Sequence, residues 1–119
     1  MRKGAPANKL VLGMPLYGQS FTLDDEENHG LNAKGAKGQA GKFTRQAGFL
    51  AYYEICHRVK VHNWTVVKDP EGRMGPYAYK DRQWVGYDDR KMIRYKVGMK
   101  MHKLFCKKKV TYYNNSYLI

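Results

Sequence analysis

Leu10 to Leu16 is the stretch that most restricts what this chain can become. Leu10, Val11, Leu12, Met14 and Leu16 make a nearly continuous apolar run. A run of that kind, bounded by turn residues, reads as a strand buried on both faces, the sort found in parallel sheets. The run then changes character. Tyr17, Gly18, Gln19 and Ser20 put a phenol, bare backbone and two hydrogen-bonding side chains at its expected carboxyl end, where parallel α/β folds open their ligand crevices. Tyr17 is the first candidate for a ligand contact.

Before this strand, residues 1–8 are small, polar and basic and read as a flexible lead-in; the strand itself is expected over 9–23. Asp24 to Glu27 is a run of four acids, followed by seven Gly or Ala between Gly30 and Gly41. That composition predicts a loop whose carboxylates are solvated, without the alternating ligands of a hard-cation site. From Thr44 the pattern turns helical: Thr44 offers a capping hydroxyl, and Phe49, Tyr52, Tyr53 and Cys56 fall on one stripe. Those aromatics are expected in the core. Glu54, the lone acid of this helix, is expected to cap or pair at the solvent edge.

Short strands follow at 62–67 and 76–79, separated by the turn sequence Asp69-Pro70-Glu71-Gly72. Lys80-Asp81-Arg82 turns the chain again into Gln83–Tyr87, which predicts a hairpin over 77–87. Trp64 and Trp84 both lie in predicted strands and are assigned to core packing. Asp88 and Asp89 precede Met92 and Ile93, and acids at the start of a periodic run signal a helix amino terminus. The whole reads as α+β: an α+β unit over 24–87, a helix start over 88–98, and a basic tail over 99–119.

The net charge of +12 invites a nucleic-acid reading, but the distribution argues against it. Residues 1–89 hold 13 Lys/Arg against 10 Asp/Glu, a net of +3, whereas residues 90–119 hold 9 Lys/Arg and no acid. The basicity belongs to the tail. No apolar run reaches the length of a membrane span, and the amino terminus has charge without the apolar core of a secretory signal. No nucleic-acid or membrane partner is expected.

The stretch LVLGMPLYGQSFTL resembles the seventh barrel strand of glycoside hydrolase family 18, the chitinases and chitinase-like lectins, which reads K-L-x-L-G-x-P-x-Y-G-(Arg or His)-x-F-x-L. FTRQAGFLAYYEIC, from Phe43 to Cys56, and GPYAYKDRQWVGYDD, from Gly75 to Asp89, match in the family's order. The resemblance covers residues 9–94. It implies a fragment of a (β/α)8 barrel, one barrel strand and one helix start, carrying at 24–87 the small α+β insertion that walls the substrate cleft. At 119 residues the chain is too short for a complete barrel. The resemblance also implies an extracellular setting, although this sequence shows no signal peptide. After Arg94 the match stops, and the tail reads as a gene-model or truncation product.

Family 18 hydrolysis uses the substrate's own N-acetyl carbonyl as nucleophile, a Glu as proton donor and a neighbouring Asp to orient the acetamide. Both acids come from a D-x-x-D-x-D-x-E segment, and this sequence has no such spacing. No catalytic residue is therefore assigned, and the chain is expected to be inactive alone.

Sugar contact is what remains. Pyranose rings present C–H faces to aromatic rings and polar groups to amides, so carbohydrate clefts combine the two. By position in the motif, Tyr17 matches a cleft-lining tyrosine and Gln19 stands where Arg or His contacts the sugar. Gln46 replaces a substrate-binding Glu, and Phe49 matches a hydrophobic cleft contact. Both glutamines lose charge, which weakens their hydrogen bonds. The implied partner is chitin or a chitooligosaccharide, with no cofactor.

The alternatives are a non-catalytic lectin fragment or a polyanion-binding protein. In the family the cysteine at Cys56 bonds to one beyond the last barrel strand; Cys106 sits in unlike surroundings, so Cys56 is left unpaired. Cys56-His57 with His102 and Cys106 has the residue types of a zinc site but no Cys-x-x-Cys knuckle, and no metal is assigned. Asn63 and Asn114 fit the glycosylation pattern.

Overall fold

A computed structural model describes residues 11–99. The expectations for the lead-in, for Leu10, for the tail beyond Met99 and for His102, Cys106 and Asn114 fall outside those residues. Along the chain come β1 (Tyr17–Leu23), β2 (Gly35–Lys37), β3 (Phe49–Ala51), α1 (Tyr52–Val61), β4 (Thr65–Val67), β5 (Tyr77–Lys80), β6 (Gln83–Tyr87) and α2 (Arg90–Met99). They form a mixed α+β unit. Every strand pair is antiparallel, in the order β2-β1-β6-β5-β4, with β3 also paired to β1. One edge of β1 is divided between β3, opposite Tyr17–Gln19, and β2, opposite Phe21–Leu23. Its other edge pairs with β6 from Gly18 to Thr22.

This corrects the expectation of a buried strand over 9–23. Residues 11–15 adopt no strand, Val11 is 94% exposed and Leu16 68%. The described residues supply no strand beside them, and an extended segment without neighbours cannot satisfy its ladder groups. The strand forms instead from Tyr17 to Leu23, where three partners exist. Gly18 and Ser20 face inward, while Gln19 and Phe21 face out, the period-2 alternation of a sheet covered on one side. Tyr17 thus opens an antiparallel strand rather than closing a parallel one.

The helix also starts later than expected. Arg45 (φ 52°) and Gly48 (φ 79°) take left-handed backbone, which no helix tolerates. Phe49–Ala51 therefore runs along β1 as a strand, and Phe49 does not share the stripe of Tyr52, Tyr53 and Cys56. The core lies between α1 and one face of the sheet: Leu50, Ile55, Trp64, Ala78 and Val85, with Val59, Val66 and Tyr87 packed against them. Gly18 permits this approach. A Cβ there would lie 2.6 Å from Val85 Cγ2 and 2.8 Å from Ile55 Cδ1.

Several local readings hold. The acids Asp24–Glu27 are exposed. Asp69 closes its turn by accepting the amides of Glu71 (3.3 Å) and Arg73 (2.8 Å). The Arg73 guanidinium beside it holds its carboxyl at about 2. In the β5–β6 hairpin Lys80 faces Gln83, and Asp81 takes the positive φ (51°) that Asp accepts more readily than most residues. Asp89 Oδ1 accepts the Met92 amide at 2.8 Å, capping α2 as predicted, and Asp88 pairs with Lys96. Trp64 is in the core, under the Arg58 guanidinium at 5.1 Å. Trp84 is not. Among the described residues no helix is long and apolar enough to cross a membrane, and no group of three His, Cys, Asp or Glu side chains could hold a metal ion.

Candidate functional site

Because β1 alternates, its outward residues Tyr17, Gln19 and Phe21 lie on the sheet face away from α1. Antiparallel pairing sets Phe49 of β3 opposite Gln19, and the Tyr17 and Phe49 rings stack with centroids 4.6 Å apart at 26°. Both rings are partly exposed, and Gln19 is exposed beside them. Three of the four predicted contact residues are therefore brought together: an apolar ring pair bordered by an amide. Gln46 stands on the loop entering β3. Its carbonyl accepts the Phe49 amide at 3.3 Å, and its exposed side chain makes no hydrogen bond to Tyr17 or Gln19 among the described residues.

The loop that carries Gln46 is fixed from below by Glu54. Expected at the solvent edge, Glu54 is only 4% exposed. One oxygen accepts the amides of Phe43 (2.8 Å) and Thr44 (3.2 Å), the other the Thr44 hydroxyl (2.8 Å) and the Ala51 amide (3.1 Å). Burial alone would push the carboxyl up. The hydrogen bonds from Phe43, Thr44 and Ala51 outweigh it and hold the group below the usual carboxylate range. Thr44, expected to cap a helix, instead donates to this carboxylate. The capping half of the Glu54 expectation holds at Ala51; the solvent half fails, because four donors compensate the desolvation. Glu54 joins the α1 amino terminus to the 43–51 loop and so sets where Phe49 and Gln46 stand. Gly41 leaves the space, since a Cβ there would fall within 2.6 Å of the carboxylate atoms.

On the same open face, Trp84 pairs in register with Phe21 and Tyr79, and its ring stacks on Tyr77 at 5.2 Å and 24°. The usual burial of tryptophan predicts a core position for Trp84, and the structure leaves it half-buried on the open face instead. The signal that places it lies in Gln83–Tyr87 itself: with Val85 inside, alternation sends residues 84 and 86 outward. Cys56 is half-buried and has no disulfide partner among the described residues. Tyr87 beneath α1 is pushed up to about 12 by burial, with the Tyr52 phenol and the Asp89 carboxylate adding to the shift. Neither group faces the open side.

The open face thus presents packed aromatic rings with an exposed amide among them. The profile of glycosyl hydrolases family 18 matches residues 1–105. Probable chitinase 10 of Drosophila melanogaster is 65% identical over 97 residues, 81% of this chain and 4% of that protein's length. Among solved structures, catalytic domain 2 of the Ostrinia furnacalis Group II chitinase superposes with a TM-score of 0.75 at 53% identity, covering 82% of this chain and 26% of that one. A mutant of the same domain has been solved in complex with (NAG)5. Human YKL-39, described as a pseudo-chitinase with retained chitooligosaccharide binding, superposes with a TM-score of 0.71 at 42% identity, over 82% of this chain and 26% of its own. The chain thus spans about a quarter of these structures and a small part of the insect relative. With the profile, the identity and the superposition in agreement, this chain belongs to glycosyl hydrolases family 18.

Proposed function

We propose that this chain forms one wall of a chitooligosaccharide-binding cleft in a family 18 chitinase. The observation that carries the reading is the Tyr17–Phe49 ring pair with Gln19 beside it, on the sheet face opposite α1. The pair gives a pyranose ring an apolar surface, and Gln19 and Gln46 offer neutral donors and acceptors to its hydroxyl and acetamide groups. Chitooligosaccharide binding by two structural relatives supports the ligand class. In the same reading the antiparallel sheet is a lobe inserted into a (β/α)8 barrel, and that barrel supplies the proton-donating Glu and its Asp partner. The chain by itself binds but does not hydrolyse, and the parent protein works outside the cell.

A chitin pull-down at rising salt tests this. Retention that persists from low to high salt is expected, because stacking and neutral hydrogen bonds involve no counterion release. Retention that collapses with salt would indicate the basic residues as a polyanion site instead. Release of labelled chitooligosaccharide by this chain alone would overturn the assignment of the catalytic acids to the rest of the parent.

A further inference from the structure

Trp84 is held in a way its packing does not require. Its indole N–H donates to the His29 carbonyl at 3.2 Å, Tyr77 stacks on it, and Phe21 tilts against it at 5.9 Å. A Cβ on Gly86 would lie 3.0 Å from its Cη2 and 3.1 Å from its Cζ3. The six-membered ring therefore rests over the Gly86 backbone, leaning along the sheet, and a side chain at 86 would crowd it. Gly86 faces Gln19 across the β1–β6 ladder, and Gln19 faces Phe49 across β1–β3. Phe49, Gln19, the ring over Gly86 and Tyr77 thus form one line across β3, β1, β6 and β5. Three strand spacings make it roughly 14 Å long, longer than one pyranose ring. Beside Trp84 opens a groove of about 490 Å³, lined by Phe21 and Leu23 on one side and by Asn32 and Lys34 on another.

From this geometry we infer that Trp84, with Tyr77, is a second stacking subsite of the same face, and that it takes a further N-acetylglucosamine ring of a chain whose first contact is at Tyr17 and Phe49. The ring is fixed before any ligand arrives, so little ordering accompanies stacking on it. Asn32 and Lys34 offer hydrogen bonds to hydroxyl and acetamide groups at the groove's rim. The inference rests on the reading of Tyr17 and Phe49 as a sugar contact, and chain length separates the two.

The experiment is calorimetric titration of the full chain with N-acetylglucosamine dimer and pentamer, for the unaltered protein and for Tyr17→Ala, Trp84→Ala, Trp84→Phe and Gly86→Ala, with folding checked by urea midpoint. Trp84→Ala is expected to weaken the pentamer on the order of tenfold and the dimer less than about twofold. Gly86→Ala, which displaces the ring without removing it, follows the same pattern, and Trp84→Phe falls between. The protein has two tryptophans, and Trp64 is buried in the core. The pentamer, but not the dimer, should therefore protect the emission from iodide, and Trp84→Phe should abolish that protection. Pentamer affinity that depends on Tyr17 but not on Trp84 overturns this inference alone. Dependence on Trp84 but not on Tyr17 overturns the reading it rests on, and no binding by the unaltered protein overturns both.

Discussion

The two faces of the sheet use the same strands for opposite purposes. Toward α1 the side chains are small or branched and sealed: Gly18, Leu50, Ala78 and Val85 meet Ile55, all with 1% exposure or less where they are hydrophobic. Away from α1 the same strands carry Gln19 and the rings of Tyr17, Phe21, Phe49, Tyr77 and Trp84, which pack against one another in pairs and stay partly open. In the proposed reading, alternation along β1, β3, β5 and β6 separates stability from recognition residue by residue. A substitution on one face should change folding and leave binding per folded molecule intact; one on the other should do the reverse.

The largest effect is expected where the sealed face is emptied. Leu50→Ala should cost about 2–5 kcal/mol, a large part of the ~5–15 kcal/mol that stabilises a small domain, and a urea titration reads it directly. If the α1 face were not the core, the midpoint would barely move. Gly18→Ala should cost less, about 1–3 kcal/mol, because its new Cβ meets Val85, Ile55 and the Gly86 carbonyl at 2.6–2.8 Å.

Glu54 links the two faces, since its carboxylate sits with the core and fixes the loop bearing Phe49. Glu54→Gln should cost on the order of 1–3 kcal/mol, because a carboxamide cannot accept at both ends. Its pH dependence has a definite sign. The folded group titrates below its unfolded value of about 4.3, so the unfolded state binds more protons as pH falls. The stabilisation is complete above that value and is lost as pH drops through the lower folded one. Denaturation midpoints between pH 6 and pH 3 should fall less steeply in Glu54→Gln than in the unaltered chain, and parallel curves would exclude the carboxylate as their source.

On the open face, Tyr17→Ala should shift stability by no more than about 1 kcal/mol, the worth of one exposed ring pair, while lowering pentamer affinity on the order of tenfold. The smallest effect belongs to Ser20. Its hydroxyl is buried and finds no hydrogen-bond partner among the described residues, so Ser20→Ala should be neutral or stabilising by under about 1 kcal/mol, as thermal melts can show.

Much of this was legible in the residues. The Asp69 turn, the hairpin about Asp81 and the cap at Asp89 were readable because each depends on neighbours within four residues. The family motifs named Tyr17, Gln19, Gln46 and Phe49 as contacts of one cleft, and strand pairing brings Tyr17, Gln19 and Phe49 together while Gln46 stays on its loop. Three things were not readable, and all involve distant partners. The apolar run at 11–16 is strand-like in composition, but a strand is made by its neighbours, and those of this chain line up with Tyr17–Leu23. The periodicity at Phe49–Cys56 fits a helix, yet Gly48 and pairing with β1 claim its first three residues for the sheet. Glu54 looked like a surface acid because the amides that satisfy its oxygens come mostly from a loop ten residues earlier. Trp84 lay between the two cases, since the alternation with Val85 held the answer that average burial concealed.

Amide chemical-shift mapping of the isotope-labelled chain with N-acetylglucosamine pentamer tests the division between the faces most directly. The account predicts shifts that saturate together at Tyr17, Gln19, Phe49 and Trp84, with the amides of α1 from Ile55 to Lys60 unmoved. Perturbations concentrated along α1 or in the loop at Asp24–Glu27, with the open face silent, would contradict it.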